Sequence, residues 1–183
     1  MQWKDWVRMI FEARNIRKDV ATRDFPRKIC GSVAVFCDYG MADGIWNYDW
    51  SDSAVLDETE YVLSAQLFND LAEWNTIYEV LNLGFYAASE YEKECPIEEA
   101  QKIAPGFTAD DFTDRGKELA CRVKQEAPNC RVYFFDEIES NRAFSLEAGS
   151  TPGFGKYEVL PKGNAFVFRS FEDGREFDFE PAS

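Results

Sequence analysis

The chain has 183 residues, 45% hydrophobic and 16% aromatic, which suits one domain with a sizeable core and excludes a disordered body. Its formal charge is −14 with no histidine, so direct binding to nucleic acid or to an anionic membrane is opposed by repulsion; the expected partner is basic or neutral. No run approaches the roughly 18 to 20 apolar residues of a membrane helix, no secretory-signal pattern is present, and five cysteines at irregular spacing argue against a disulfide framework, so a cytoplasmic setting is expected.

Residues 2–18 carry Trp3, Trp6, Val7, Ile10, Phe11 and Ala13 at near-helical spacing, with Lys4, Arg8, Arg14, Arg17 and Lys18 mostly opposite. The first 28 residues are net +4 and the remaining 155 net −18. A basic amphipathic helix packed on an acidic body is therefore expected, within a single domain spanning 1–183. Residues 29–36 (ICGSVAVF) are apolar and β-branched, as in a buried strand, with Cys30 read as a small core residue like Cys121. From Cys37 to Glu60 no period is sustained, and a loop or irregular strand is expected. Ser64 caps a helix with Leu67, Phe68, Leu71, Trp74, Tyr78 and Leu81 on one stripe, ending at 82–84. Pro96 opens a short helix that ends before Pro105, and Thr108 caps another with Phe112, Gly116, Leu119, Ala120 and Val123 inward. Strands follow at 131–135, 156–160 and 164–171, the last two joined by Pro161, Lys162 and Gly163. Asp173-Gly174 predicts a hairpin with a type I′ turn. Helices followed by strands imply an α+β fold, a mainly antiparallel sheet of about five strands packed against three to four helices.

Chemistry is sparse. Without histidine, the commonest general base, the usual protease triads and most zinc sites are absent. There is no C-x-x-C pair, and Asp38 beside Cys37 raises rather than lowers a thiol's pKa. Pairs such as Asp49/Asp52 or Asp110/Asp111 are expected by chance among 34 acids and match no calcium loop. Residues 149–155 (GSTPGFG) lack the G-K-[ST] ending of a phosphate-binding loop. No cofactor, metal or catalytic residue is expected.

The distinctive stretch is Ile29 to Glu92, which holds twelve Asp or Glu and no Lys or Arg, with large aromatic rings among them. A long single-sign block studded with aromatics is either a solvated acidic face over an ordinary aromatic core or an interface for a basic protein, in which the acids steer encounter and the rings anchor it. The contact is expected at Asp38, Asp43, Trp46, Tyr48, Asp49, Trp50, Asp52, Asp57, Glu58 and Glu60, with Glu90 and Glu92 at its rim.

Two segments extend this reading: Gly44-Ile45-Trp46 followed, past an acidic spacer, by L-S-A-Q-L-F-N-D-L-A-E-W-N-T-I-Y ending at Tyr78, and F-T-D-R-G-K-E-L-A-C-R-V-K-Q-E from Phe112 leading into R-V-Y-F-F. Together they resemble the small acidic bacterial proteins found among immunity partners of secreted or contact-delivered toxins. The resemblance implies a bacterial cytoplasmic setting and carries no functional residues across. An immunity protein that occludes a basic toxin, such as a nuclease, is the expectation; the alternatives are a nucleic-acid mimic inhibiting a DNA- or RNA-acting enzyme, and a carboxylate-dependent hydrolase.

Overall fold

The computed structural model of the chain describes residues 1–16, 27–38, 43–47, 59–81, 96–138 and 155–180. The elements run α1 (Trp3–Ala13), β1 (Lys28–Ile29), β2 (Ser32–Val35), β3 (Ile45–Asn47), β4 (Tyr61–Val62), α2 (Ala65–Val80), α3 (Pro96–Ile103), α4 (Ala109–Glu126), β5 (Arg131–Phe135), β6 (Lys156–Lys162), β7 (Ala165–Ser170) and β8 (Glu176–Phe179). The fold is α+β. Six strands form one sheet in the order β3-β2-β5-β6-β7-β8, antiparallel throughout except for β2 beside β5, and β1 pairs with β4 in a separate ribbon.

Strand alternation sorts the sheet's two faces. Val33, Val35, Ile45, Val132, Phe134, Val159, Phe166 and Phe168 point into a core shared with the helices. Ala34, Tyr133 and Phe135 form a second cluster on the opposite face, with Phe36, Trp46 and Phe171 against it. At the centre of the main core, Trp74 of α2 stacks on Phe112 of α4 with ring centroids 5.1 Å apart and donates its indole N–H to the Phe112 carbonyl at 3.1 Å. Gly116 leaves the room for this crossing.

Helix starts follow side-chain chemistry. Ser64 Oγ accepts from Leu67 N–H at 3.2 Å, while Glu126 of α4 accepts from the Ser64 amide (2.6 Å) and hydroxyl (2.7 Å), locking the start of α2 to the end of α4. Thr108 and Asp111 form a reciprocal capping box at α4.

Several expectations are corrected. The strand expected over 29–36 is broken at Gly31 (φ 65°), whose left-handed backbone sends β1 and β2 into different sheets. Cys30, at that break, is exposed and not a core residue; Cys37, Cys121 and Cys130 are buried. The first helix ends at Ala13, followed by Asn15 at φ 53°. Pro161 and Lys162 belong to β6, and the turn is Gly163-Asn164 alone. The β7–β8 hairpin forms, but not through a type I′ turn: only Gly174 has positive φ, and a loop of residues 171–174 closes where Ser170 N–H donates to the Arg175 carbonyl at 2.8 Å. Residues 82–84, Cys95 and 149–154 lie outside the described residues. Among the described residues no helix is long and apolar enough to cross a membrane.

Candidate functional site

Among the described residues, acids of the base-free stretch pair with bases from outside it: Lys4, Arg27 and Lys28 from the first 28 residues, and Arg115 and Arg122 from α4. Asp43 is buried, with Arg27 Nε 3.3 Å away and the Ile45 amide donating to Oδ1 at 3.2 Å. Burial pushes its carboxyl up, against the downward pull of the Arg27 charge and the amide. Glu60 pairs with Lys28 at 3.0 Å. Lys4 of α1 reaches Asp70 (3.0 Å) and Glu73 (3.1 Å). Asp70, only 6% exposed in its side chain, also receives Arg122 (2.6 Å), Arg115 (3.4 Å) and Gln66 (2.9 Å), so one carboxylate ties α1, α2 and α4 together.

Trp46 does not project as an anchor, since its ring stacks on Phe36 with centroids 5.0 Å apart on the sheet face opposite the helices. Asp38 is half-buried, its amide donating to Asn75 Oδ1 at 3.1 Å. The described members of the predicted contact are thus spread between a buried ion pair, a ring stack, a strand end and an exposed salt bridge. Tyr48, Asp49, Trp50, Asp52, Asp57 and Glu58, and the rim residues Glu90 and Glu92, lie outside the described residues.

A second collection of acids follows the carboxyl ends of the parallel strands β2 and β5. Asp136 is buried and accepts from Thr113 Oγ1 at 3.1 Å. Its neighbour Glu137 is pushed up to about 7 by burial and by the charges of Asp38 and Asp136, against Lys156. The buried Cys37 thiol is held well above its ordinary value, chiefly by burial, which makes it a poor nucleophile. Because the folded pKa of Glu137 lies above its ordinary 4.5, the native state binds the extra proton, and the stability this confers is lost as pH rises through about 7. We expect the thermal midpoint of Glu137→Gln, relative to wild type, to rise between about pH 5 and pH 8. Parallel midpoint curves for the two proteins would contradict this environment for Glu137.

Aromatic rings and carboxylates do meet elsewhere, along α4 and β8, where Asp114 pairs with Lys117 at 3.6 Å and Glu118 with Arg115. A hollow of about 220 Å³ is lined by Trp3 and Trp6 of α1, by Asp111, Asp114, Arg115 and Glu118 of α4, and by Phe179 and Glu180. A second, of about 290 Å³, is lined by Phe179 again, with Lys117 of α4 and Tyr157, Phe168, Phe177 and Asp178 of the sheet. They share Phe179 and read as one groove. Leaving out Asp178, whose side chain the strand alternation turns to the opposite face, its charged lining is four carboxylates against two bases, net −2. Arg115 is already committed to Asp70 and Glu118 (2.7 Å) and lies 5.7 Å from the Trp3 ring centroid. Phe177 is 46% exposed although it faces the same side of the sheet as the core.

Local chemistry builds each wall. The Thr108 cap sets Asp111 in the first turn of α4, and helical spacing brings Asp111, Asp114 and Glu118 onto one side. Trp3 is held by its N–H to Glu73 (3.1 Å) and by tilted contacts with Phe107 and Phe112. In β8 the run Glu176-Phe177-Asp178-Phe179 alternates acid and ring, so all its aromatic surface falls on the groove side. That alternation is the one sequence signal of the groove; nothing local announces that residues 1–6 and 111–118 join it.

The chain matches no protein-family model, no curated protein and no solved structure.

Proposed function

We propose that this chain is a binding protein that neutralises a basic partner, acting as an immunity-type inhibitor of a toxin whose own cleft is positive, as a nuclease's is. The observation that carries the reading is the groove of α1, α4 and β8, in which rings suited to anchoring a partner are bordered by an excess of carboxylates. Its acids steer encounter with a positive surface, and burial of Phe177 and Phe179 slows release. Inhibition is by occlusion, without turnover. The composition, −14 overall, adds long-range attraction for a basic protein and repels nucleic acid.

The test is capture from host extract on immobilised wild type and on a variant carrying Asp114→Asn, Glu118→Gln and Glu180→Gln, with folding checked by circular dichroism. Wild type is expected to retain, at low salt only, a basic protein whose nucleic-acid cleavage it stops stoichiometrically, and the variant to lose it. Retention of the same protein by both chains at all salt concentrations, or an active partner in the complex, overturns the proposal.

A further inference from the structure

β8 is the last strand of the sheet, and the register determines what its free edge offers. Ser170 N–H donates to the Arg175 carbonyl, so by the alternation of an antiparallel ladder Phe177 and Phe179 pair inward with Phe168 and Phe166. The N–H and C=O groups of Glu176 and Asp178 then face outward, where among the described residues no strand pairs with them. Beside that edge, on the helix side, lie half-exposed Phe177 and the 290 Å³ hollow. On the other side lie the carboxylates of Glu176 and Asp178, held by Arg169 (2.9 Å) and Lys162 (2.6 Å) in exposed pairs that exchange partners cheaply.

We propose that β8 is extended by a strand of the partner, added antiparallel, in which basic and apolar residues alternate. Its apolar side chains continue the face of Phe177 and Phe179 into the groove, while its basic ones fall opposite Glu176 and Asp178 on the far face. A second copy of this chain is the wrong occupant, since antiparallel self-pairing sets Glu176 against Asp178 between two molecules that each carry −14. The proposal rests on the groove reading above and adds how the partner is held.

The probe is a peptide of about ten residues alternating Lys and Val, tested by calorimetry at low salt with two N-methylated forms of identical charge. In antiparallel addition the residues opposite Glu176 and Asp178 are the lysines, and their amides face β8. Methylating the Lys amides is therefore expected to weaken binding by about tenfold or more, and methylating the Val amides to leave it nearly unchanged. Asp178→Pro removes one outward N–H and no ladder bond, and is expected to weaken binding more than Asp178→Asn. Equal binding of both methylated peptides overturns strand addition; if that binding is still lost in Asp114→Asn/Glu118→Gln, the acidic groove stands without it. Absence of binding by the unmethylated peptide, or dimerisation of the chain through β8, also overturns it.

Discussion

Replacing Asp70 with alanine is expected to lower the unfolding free energy by about 3 to 5 kcal/mol, measured by denaturant titration. The carboxylate is the shared acceptor for Lys4, Arg115, Arg122 and Gln66, and Arg115 has only 9% of its side chain exposed. Removing it leaves Arg115 with Glu118 and the Trp3 ring and breaks the ion-pair network that joins α1, α2 and α4, so the cost is that of under-compensating a buried cation rather than of losing one surface pair. Burial alone would push the Asp70 carboxyl up, but hydrogen bonds from Arg122 and Lys4, with the charges of Lys4 and Arg115, hold it below its ordinary value. A depressed carboxyl contributes stability that is present above its ordinary 3.8 and lost as pH falls through the folded value. The alanine variant should therefore lack part of the acid-side loss seen in wild type. A cost below about 1 kcal/mol, the range of exposed pairs, would show that the network is not formed.

Gly116→Ala is expected to cost about 2 to 3 kcal/mol despite alanine's better helix propensity, worth about 1 kcal/mol. A Cβ at 116 would lie 2.7 Å from Phe134 Cε2 and closer still to Trp74 Cζ2. Both rings are almost fully buried, and Trp74 is pinned by its stack on Phe112 and its bond to the Phe112 carbonyl, so neither can yield without moving α2 or β5. The check is a lowered denaturant midpoint with an unchanged slope. An unchanged or raised midpoint would mean that the packing of α4 on Trp74 is looser than described.

These two sites mark what the sequence makes legible and what it hides. The helices could be read because their signals are local: Ser64 and Thr108 cap, Pro96 starts, and the stripe from Phe112 to Val123 has the helical period. Gly116 in that stripe reads as a buried position, but its reason for being glycine is Trp74, contributed by another helix. The β7–β8 hairpin is visible in alternation and Gly174, whereas the parallel pairing of β2 with β5 joins Val33 to Val132 and depends on packing that no local pattern encodes.

Among the described residues the acidic stretch does not act as one surface, because charge in sequence is not charge in space. Pairing of β1 with β4 sets Lys28 opposite Val62 and beside Glu60, and Arg27 comes back to Asp43, so bases from outside the stretch neutralise acids within it. The same logic of rings among carboxylates holds at the groove, but there the rings come from Trp3, Trp6, Phe177 and Phe179 and the acids from α4, residues that stand far apart in the chain. Only the Glu-Phe-Asp-Phe alternation of β8 hints at it.

The most direct test of the central claim is amide hydrogen exchange on the chain alone and in complex with its captured basic partner. Protection is expected at residues 1–6, along 111–118 and across 176–180, where the groove and its open edge lie. Protection confined to 29–47 and 59–62, with β8 exchanging as in the free chain, would contradict a binding site between α4 and β8.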